Sequence, residues 1–474
     1  MTVKDGNRRA GHWLGVARDG AVSWRGIRYA HGPRFALPEP LPAPGADVLC
    51  DRHGPASAQP GGPIASASLA DDALFLNVHA PAADGRRRPV LLWVHGGAFV
   101  FGAGAQYDGA PLARAGDIVV VTVNYRLGAL GFVDFGALGV PRNLGLHDQL
   151  AALRWVREHI EAFGGDPERI TLAGESAGAM SVASLMAAPA ARGLFRGAIL
   201  QSGALNLMHE APLAGAIGQR MLALLERHGE NRAALLRAPV QRLFAAQRRL
   251  AREYPGILPG APVFDGDLLP PALAQARAAA APVPLLLGWN RDEVRLFELP
   301  GLRGMLPLDR TALLRRLSGQ LGAATAAALA QAYPDGPGGL RELATDAYFA
   351  QPVRRAAERH AAAGQPTWAY RFDRRGLLGA PHAAELAYLW DWGGLPGLVL
   401  RGGLPTPDRR RIRDGMRRHW RGFVRDGRPG DDWPRYTPET PALKLFDRED
   451  RVAVDPEPHR RRAWGPHELV AAPP

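Results

Sequence analysis

A chain of 474 residues, 46% of them hydrophobic, is long enough to bury a large core and has the ordinary composition of a globular protein. The net charge of +12 rests almost wholly on arginine. Its short clusters (Arg86 to Arg88, Arg409 to Arg411, Arg460 to Arg462) are not interleaved with aromatic residues, so a dispersed basic surface is expected rather than a nucleic-acid platform. Cys50 is the single cysteine, which excludes an intrachain disulfide and a thiolate metal cluster. The first residues hold no apolar stretch, and no run reaches the roughly 18 apolar residues of a membrane span. A cytoplasmic chain without membrane partners is the expectation.

The section through Pro44 reads as short antiparallel strands and turns. Asp51 to Asp71, rich in Gly, Pro, Ala and Ser, reads as a surface loop. Strands are expected at Leu74–His79, Pro89–His95 and Ile118–Tyr125, the last two apolar throughout, as in a parallel sheet covered on both faces. Leu146 to Phe163 has helical spacing and stops at Gly164-Gly165. A short strand, Ile170 to Ala173, then runs into Gly174, and a small-residue helix starts at Ala177. Ala198 to Gly203 is the next strand. Strand and helix in this alternation predict a parallel sheet with crossover helices.

From Ala214 to Glu253 the pattern is helical with no strand signal, as in an insertion. Pro284 to Gly288 returns to the sheet. Pro307 to Tyr333 and Arg341 to Ala363 are helical again. Thr367 to Phe372 is a late strand, Arg409 to Arg425 an amphipathic helix, and Ala442 to Phe446 a last edge strand. The tail after His459 is expected to be loosely ordered. No repeat or separating linker is evident. The expectation is therefore a single α/β unit over residues 1–474, with helical insertions at about 205–280 and 300–363.

Gly174-Glu175-Ser176-Ala177-Gly178 stands where a strand turns abruptly into a helix. Such a turn holds its middle residue at a strained backbone angle, and the flanking glycines make room for it. Ser176 is thus a candidate nucleophile. A serine hydroxyl needs a base, a group that orients the base, and donors for the oxyanion. Trp93-Val-His-Gly-Gly-Ala-Phe99 follows a buried strand, and its small residues let backbone N–H groups approach a substrate. Gly97, Ala98 and Ala177 are the candidate donors, with Gly96 shaping the turn. His95 is expected to order that loop and His147 to be structural. His382, in the loop after the Phe372 strand, is the better-placed base. The acid should follow a strand between serine and histidine. Asp292 and Glu293 both do, and chemistry alone does not choose between them. Phe99 and Phe101 are candidate acyl-side contacts. Tyr388, Trp390 and Trp392 follow the histidine as further candidates for the pocket wall.

Motifs along nearly the whole chain then become specific. They include Gly26-Ile-Arg-Tyr-Ala, Arg34-Phe-x-x-Pro, Asp72-Ala-Leu-Phe-Leu-Asn-Val, Val123-Asn-Tyr-Arg-Leu-Gly and Asn143-Leu-Gly-Leu-His-Asp-Gln. To these are added Phe163-Gly-Gly-Asp-Pro, Leu172-Ala-Gly-Glu-Ser-Ala-Gly, Asn290-Arg-Asp-Glu and Trp420-x-x-Phe-x-x-x-Gly-x-Pro. The chain resembles the type B carboxylesterases of the α/β-hydrolase fold. The resemblance implies a mostly parallel twisted sheet flanked by helices and a serine esterase that needs no metal or organic cofactor. It further implies Glu293 as the acid, His382 as the base with Glu385 after it, and a small ester as substrate. A monomer is expected. An acyltransferase, cyclase or lactonase using the same acyl-enzyme is the alternative, and an inactive binding module is a remoter one. Three departures stand out. Ser57 and Ala73 replace the cysteines of the family's N-terminal disulfide, Val294 replaces the glycine after the acid, and Ala383 replaces a frequent glycine after the histidine.

Overall fold

The computed structural model describes residues 6–60, 68–390, 392, 394–404 and 406–467. Twelve strands follow one another through the main sheet. They are β1 (Gly6–Ala10), β2 (Trp13–Arg18), β3 (Ala21–Arg28), β4 (Phe75–Pro81), β5 (Arg88–Val94), β6 (Val119–Val123), β7 (Gly165–Glu175), β8 (Gly197–Gln201), β9 (Leu285–Asn290), β10 (Thr367–Phe372), β11 (Ala442–Phe446) and β12 (Arg451–Val454). Their order is β1-β2-β3-β4-β6-β5-β7-β8-β9-β10-β11-β12, and Val48–Leu49 adds a short parallel strand beside β2. The run from β6 to β11 is parallel. At either side the pairing turns antiparallel. Every residue of β5, β6, β8, β9, β10 and β11 is buried, as the continuous apolar runs predict for strands covered on both faces.

The helices that matter for the site are α1 (Leu144–His159), α2 (Ala177–Ala187), α3 (Ala211–Leu224), α4 (Val240–Glu253), α5 (Arg310–Leu321), α6 (Ala323–Ala332), α7 (Gln351–Ala362) and α8 (Pro407–Asp426). α3 and α4 pack around Ile217, Met221, Leu243 and Leu250, a cluster separate from the sheet core. α5 and α6 form another, with Leu313, Leu317 and Leu329. α3 and α4 fall within residues 205–280, and α5 and α6 within residues 300–363. No described helix is long and apolar enough to cross a membrane.

Three local expectations change. β11 is not the edge, because β12 pairs with it antiparallel after a short turn. The chain past His459 is not loose up to its last described residues. Pro458–Trp464 is a helix whose Trp464 ring is buried against the α5–α6 cluster and donates to the Tyr333 hydroxyl at 2.7 Å. The 51–71 segment does not simply lie on the surface either. Ala56–Ser57 pairs with Leu69–Ala70, and Ser57, Ala58 and Gln59 are buried. Their polar groups are satisfied inside: Leu127 N–H donates to Ser57 Oγ at 3.1 Å, and the Gln59 amide clasps both backbone groups of Gly102 at 3.0 Å. Residues 61–67 of that loop lie outside the described residues.

Candidate active site

The parallel strands deliver their C-terminal ends to one edge, the usual place for a ligand crevice in an open α/β sheet. β5 runs into Gly96 and Gly97, β7 into Ser176, β8 into Ser202 and β9 into the Asn290–Glu293 turn. β10 leads through a longer loop to His382.

Ser176 sits at φ 56°, ψ −124°, between β7 and α2. Its N–H donates to Gln201 O at 2.8 Å, so the neighbouring strand holds the turn. The flanking glycines are required by contact. A Cβ on Gly178 would lie 2.1 Å from Val94 O, and one on Gly174 would lie 2.4 Å from the Gly178 carbonyl carbon. The tight turn leaves the Ser176 side chain facing a cavity of about 150 Å³.

The donor loop is braced from three sides. Tyr125 stacks on the His95 ring at 4.4 Å and donates its hydroxyl to His95 O at 2.6 Å. His95 Nδ1 lies 2.8 Å from Gly96 O. Burial pulls the His95 pKa down to about 4, so it is a neutral strut that orders the loop. Gln59 holds the far end at Gly102. Gly97 takes φ 110°, and a Cβ there would be 1.9 Å from Phe101 O. Ala98 and Phe99 also lie at positive φ, 53° and 60°. Among the described residues, the Gly97, Ala98 and Ala177 N–H groups donate to no other group of the chain.

Glu293 is fully buried, and its Oε2 lies 2.6 Å from His382 Nδ1. Oε1 accepts from Ser202 Oγ at 2.6 Å and from Asn290 N–H at 2.7 Å. All of its bonding positions toward the protein are thereby directed, and the imidazole is presented in one orientation. Asp292 points elsewhere. It takes both arms of the Arg375 guanidinium at 3.0 Å and the Ala380 N–H at 2.9 Å, while Arg291 pairs with Asp373. Of the two carboxylates, only Glu293 reaches the histidine.

The Nε2 edge of His382 lies 3.1 Å from Glu175 Oε1. Burial opposes charge on the imidazole, but Glu175 and then Glu293 outweigh it and raise its pKa to about 9. Burial pushes the Glu175 carboxyl up to about 8, opposed by His382 and reinforced by Glu385 and Glu293. Glu385 is likewise raised by burial; it accepts from Gln201 at 3.1 Å and from the Asn290 amide. Phe349 and Phe297 pack on the His382 ring at 4.7 and 5.4 Å.

Of the residues expected in the pocket wall, Phe101 lines the cavity and Trp392 joins it. Phe99 does not. Its positive φ turns the ring into the core, where it packs on Phe132 at 4.6 Å. Tyr388 does not line it either. It is buried against Phe372, and its hydroxyl donates to Arg401 O. Tyr107, Phe297 and Phe349 complete the aromatic wall. Sequence reasoning also missed Glu175, Ser202 and Asn290. Their signal was position: each stands at the C-terminal end of a parallel strand, where side chains converge.

Two of the departures are absorbed locally. Val294 keeps negative φ and is buried with Leu313 and Leu317, tying the acid turn to the second insertion. Ala383 adopts φ 65°, the left-handed conformation that a glycine would take without strain.

A serine on a strained strand-to-helix turn, with a buried carboxylate–imidazole pair above the same edge of a parallel sheet, defines an α/β-hydrolase fold. The Carboxylesterase family model matches residues 9–314 and 329–464. The chain is 36% identical to the para-nitrobenzyl esterase of Bacillus subtilis (strain 168), over 98% of this chain and 99% of that one. It is 33% identical to the phenmedipham hydrolase of Pseudarthrobacter oxydans, over 94% and 96%. Among solved structures, a PNB esterase superposes with a TM-score of 0.88 at 33% identity, over 98% of this chain and 100% of that chain. The Geobacillus stearothermophilus carboxylesterase does so at 0.83 and 36%, over 97% and 99%. This chain belongs to the Carboxylesterase family and is a carboxylic ester hydrolase.

Proposed function

We propose that hydrolysis runs through an acyl-enzyme on Ser176, with His382 as general base and acid and Glu293 as its orienting carboxylate. The observation that carries this reading is the 2.6 Å contact from Glu293 to His382 Nδ1, beside a cavity that the strained Ser176 also lines. Ser176 Oγ attacks the ester carbonyl carbon and its proton passes to His382 Nε2. The tetrahedral oxyanion takes hydrogen bonds from the Gly97, Ala98 and Ala177 N–H groups. The C–O bond to the alcohol breaks as His382 returns the proton to the leaving oxygen. Water, deprotonated by His382, then attacks the acyl-enzyme, and Ser176 leaves with the proton.

The substrate is a small neutral ester. Apart from Glu175 and His382 the cavity is lined by uncharged side chains, including Phe101, Met180, Leu302 and Met305. A monomer as the working unit is part of the proposal. Cytoplasmic location remains part of the proposal, supported by a chain with one cysteine, Cys50.

The test is turnover of p-nitrophenyl butyrate together with intact-mass analysis after a fluorophosphonate. Wild type hydrolyses the ester and gains one adduct on Ser176. Ser176→Ala loses adduct and turnover, about 10⁴-fold or more. Turnover that survives in Ser176→Ala overturns the reading.

A further inference from the structure

The helix Pro337–Thr345 runs into α7 through a single π turn, Asp346–Ala350. The Gln351 N–H reaches back five residues to Asp346 O, and the Asn206 amide donates to Tyr348 O at 3.0 Å. Turns of this kind are rare inside α-helices and recur at functional sites. This one lies against the catalytic edge. Phe349 is buried, lines the cavity and packs on the His382 ring at 4.7 Å. Phe297 stacks on Phe349 from behind at 5.9 Å. Thr345 Oγ1, just before the turn, accepts from the Val294 N–H at 3.4 Å, the residue after Glu293. The turn is also anchored away from the cavity. Asp346 is buried and accepts from the Tyr333 hydroxyl, which itself accepts from Trp464 Nε1 at 2.7 Å. None of these three side chains is among those that line the cavity. In an α-helix, residues three apart share a face. Here Asp346 meets Tyr333 while Phe349 meets His382.

We propose, on the reading of His382 as the base, that the π turn positions its imidazole, with Asp346 as the positioning residue and Phe349 as the arm. Glu293 holds the imidazole through one atom, Nδ1, and a ring held at one atom is free to tilt about that bond. Phe349 packed on the ring removes that freedom, and Nε2 keeps one direction. Tyr333 and Trp464 fix Asp346, so the helix Pro458–Trp464 braces the base without touching the cavity. A misplacement of about 1 Å in a reacting group costs on the order of 10² in rate, so a smaller tilt is enough to matter.

The test is kinetics on p-nitrophenyl acetate and p-nitrophenyl butyrate for wild type, Phe349→Leu, Tyr333→Phe and His382→Gln. The downfield proton resonance of the His382 Nδ1–H and the urea midpoint are recorded on the same samples. Phe349→Leu keeps an apolar wall and removes the ring. Tyr333→Phe removes one hydroxyl that does not line the cavity. Each should lower kcat about tenfold, by the same factor on both esters, with KM within about twofold of wild type. Each should also shift or broaden the resonance. If either variant fails to fold, the other decides. A loss that sits in KM, or grows with the acyl chain, makes Phe349 a pocket wall and overturns the proposal. Unchanged kcat and resonance in Tyr333→Phe overturn it as well. His382→Gln separates the two readings. Turnover that survives in it removes the base, and the positioning role falls with it. An inert His382→Gln beside unaltered Phe349→Leu and Tyr333→Phe overturns the positioning role alone.

Discussion

Two carboxylates face one imidazole across the site, and they act on different nitrogens. Glu293 meets Nδ1 through Oε2 while Ser202 and Asn290 hold its Oε1, the geometry of the orienting group in the proposed mechanism. Replacing it by Gln keeps the shape and removes the charge. The expected loss in kcat is about 10³–10⁴-fold. Asp292→Ala breaks a pair with the half-exposed Arg375, worth about 1 kcal/mol or less, and removes the acceptor of the Ala380 N–H, and kcat/KM should stay within about threefold of wild type. Equal losses in the two variants would remove Glu293 from its role. Glu175 faces Nε2. As the proposed base His382 works only when deprotonated, and Glu175 and Glu293 outweigh burial to hold its proton up to about pH 9. The limb of kcat/KM is therefore expected to rise with pH above the ordinary histidine range. Glu175→Gln removes one of the carboxylates that favour the imidazolium, so the limb should move to lower pH by about one unit. A pH–rate profile that stays in place would mean that Glu175 does not govern the titration of His382.

The elbow between β7 and α2 works because three backbones meet with no side chain between them. Gly178 is the tightest point, since a methyl group there would stand 2.1 Å from Val94 O, a backbone atom that cannot swing away. Gly178→Ala should destabilise the protein by roughly 1–3 kcal/mol, the usual penalty of overpacking. It should also lower kcat more than it raises KM, because the displaced α2 carries the Ala177 N–H. Stability by urea titration and kinetics on the same preparation check both. Elements of this kind were legible because one local pattern decides them. β5 and β6 are unbroken apolar runs, and the elbow carries its glycines in the motif. Pro458–Trp464 was not legible, because what orders it is Trp464 meeting Tyr333 and Leu329 from a distant insertion. β12 was missed for a related reason. Arg451–Val454 is largely exposed and polar at its start, and only pairing with β11 makes it a strand. Phe99 and Tyr388 were misplaced because adjacency to a catalytic motif says nothing about side-chain direction, which a positive φ reverses at Phe99.

At the scale of the whole molecule, the fold class was readable because strand and helix alternate, and the candidate serine, carboxylate and histidine follow strands in sequence. How the N-terminal segment joins the parallel core was not, since that junction is a buried ion pair between residues with no common motif. Arg126, just past β6, meets Asp148 on α1 through bonds of 2.6 and 2.8 Å, and both side chains are within 1% of complete burial. The same guanidinium donates to Pro33 O at 2.8 Å and Ala36 O at 2.6 Å, so one side chain ties three parts of the chain. Two charges out of water gain little against apolar residues of similar shape, but a single one left behind is expensive. Arg126→Met should therefore destabilise by about 3–5 kcal/mol, seen as a lower urea midpoint. Arg126→Met/Asp148→Leu removes the stranded charge and should recover most of the loss. The remainder measures the Pro33 and Ala36 carbonyls, which lose their donor in both variants, together with the backbone N–H at 126, which loses Asp148 as its acceptor in the double variant. If the double variant is no more stable than Arg126→Met, the junction is held by those two backbone bonds rather than by the charge pair.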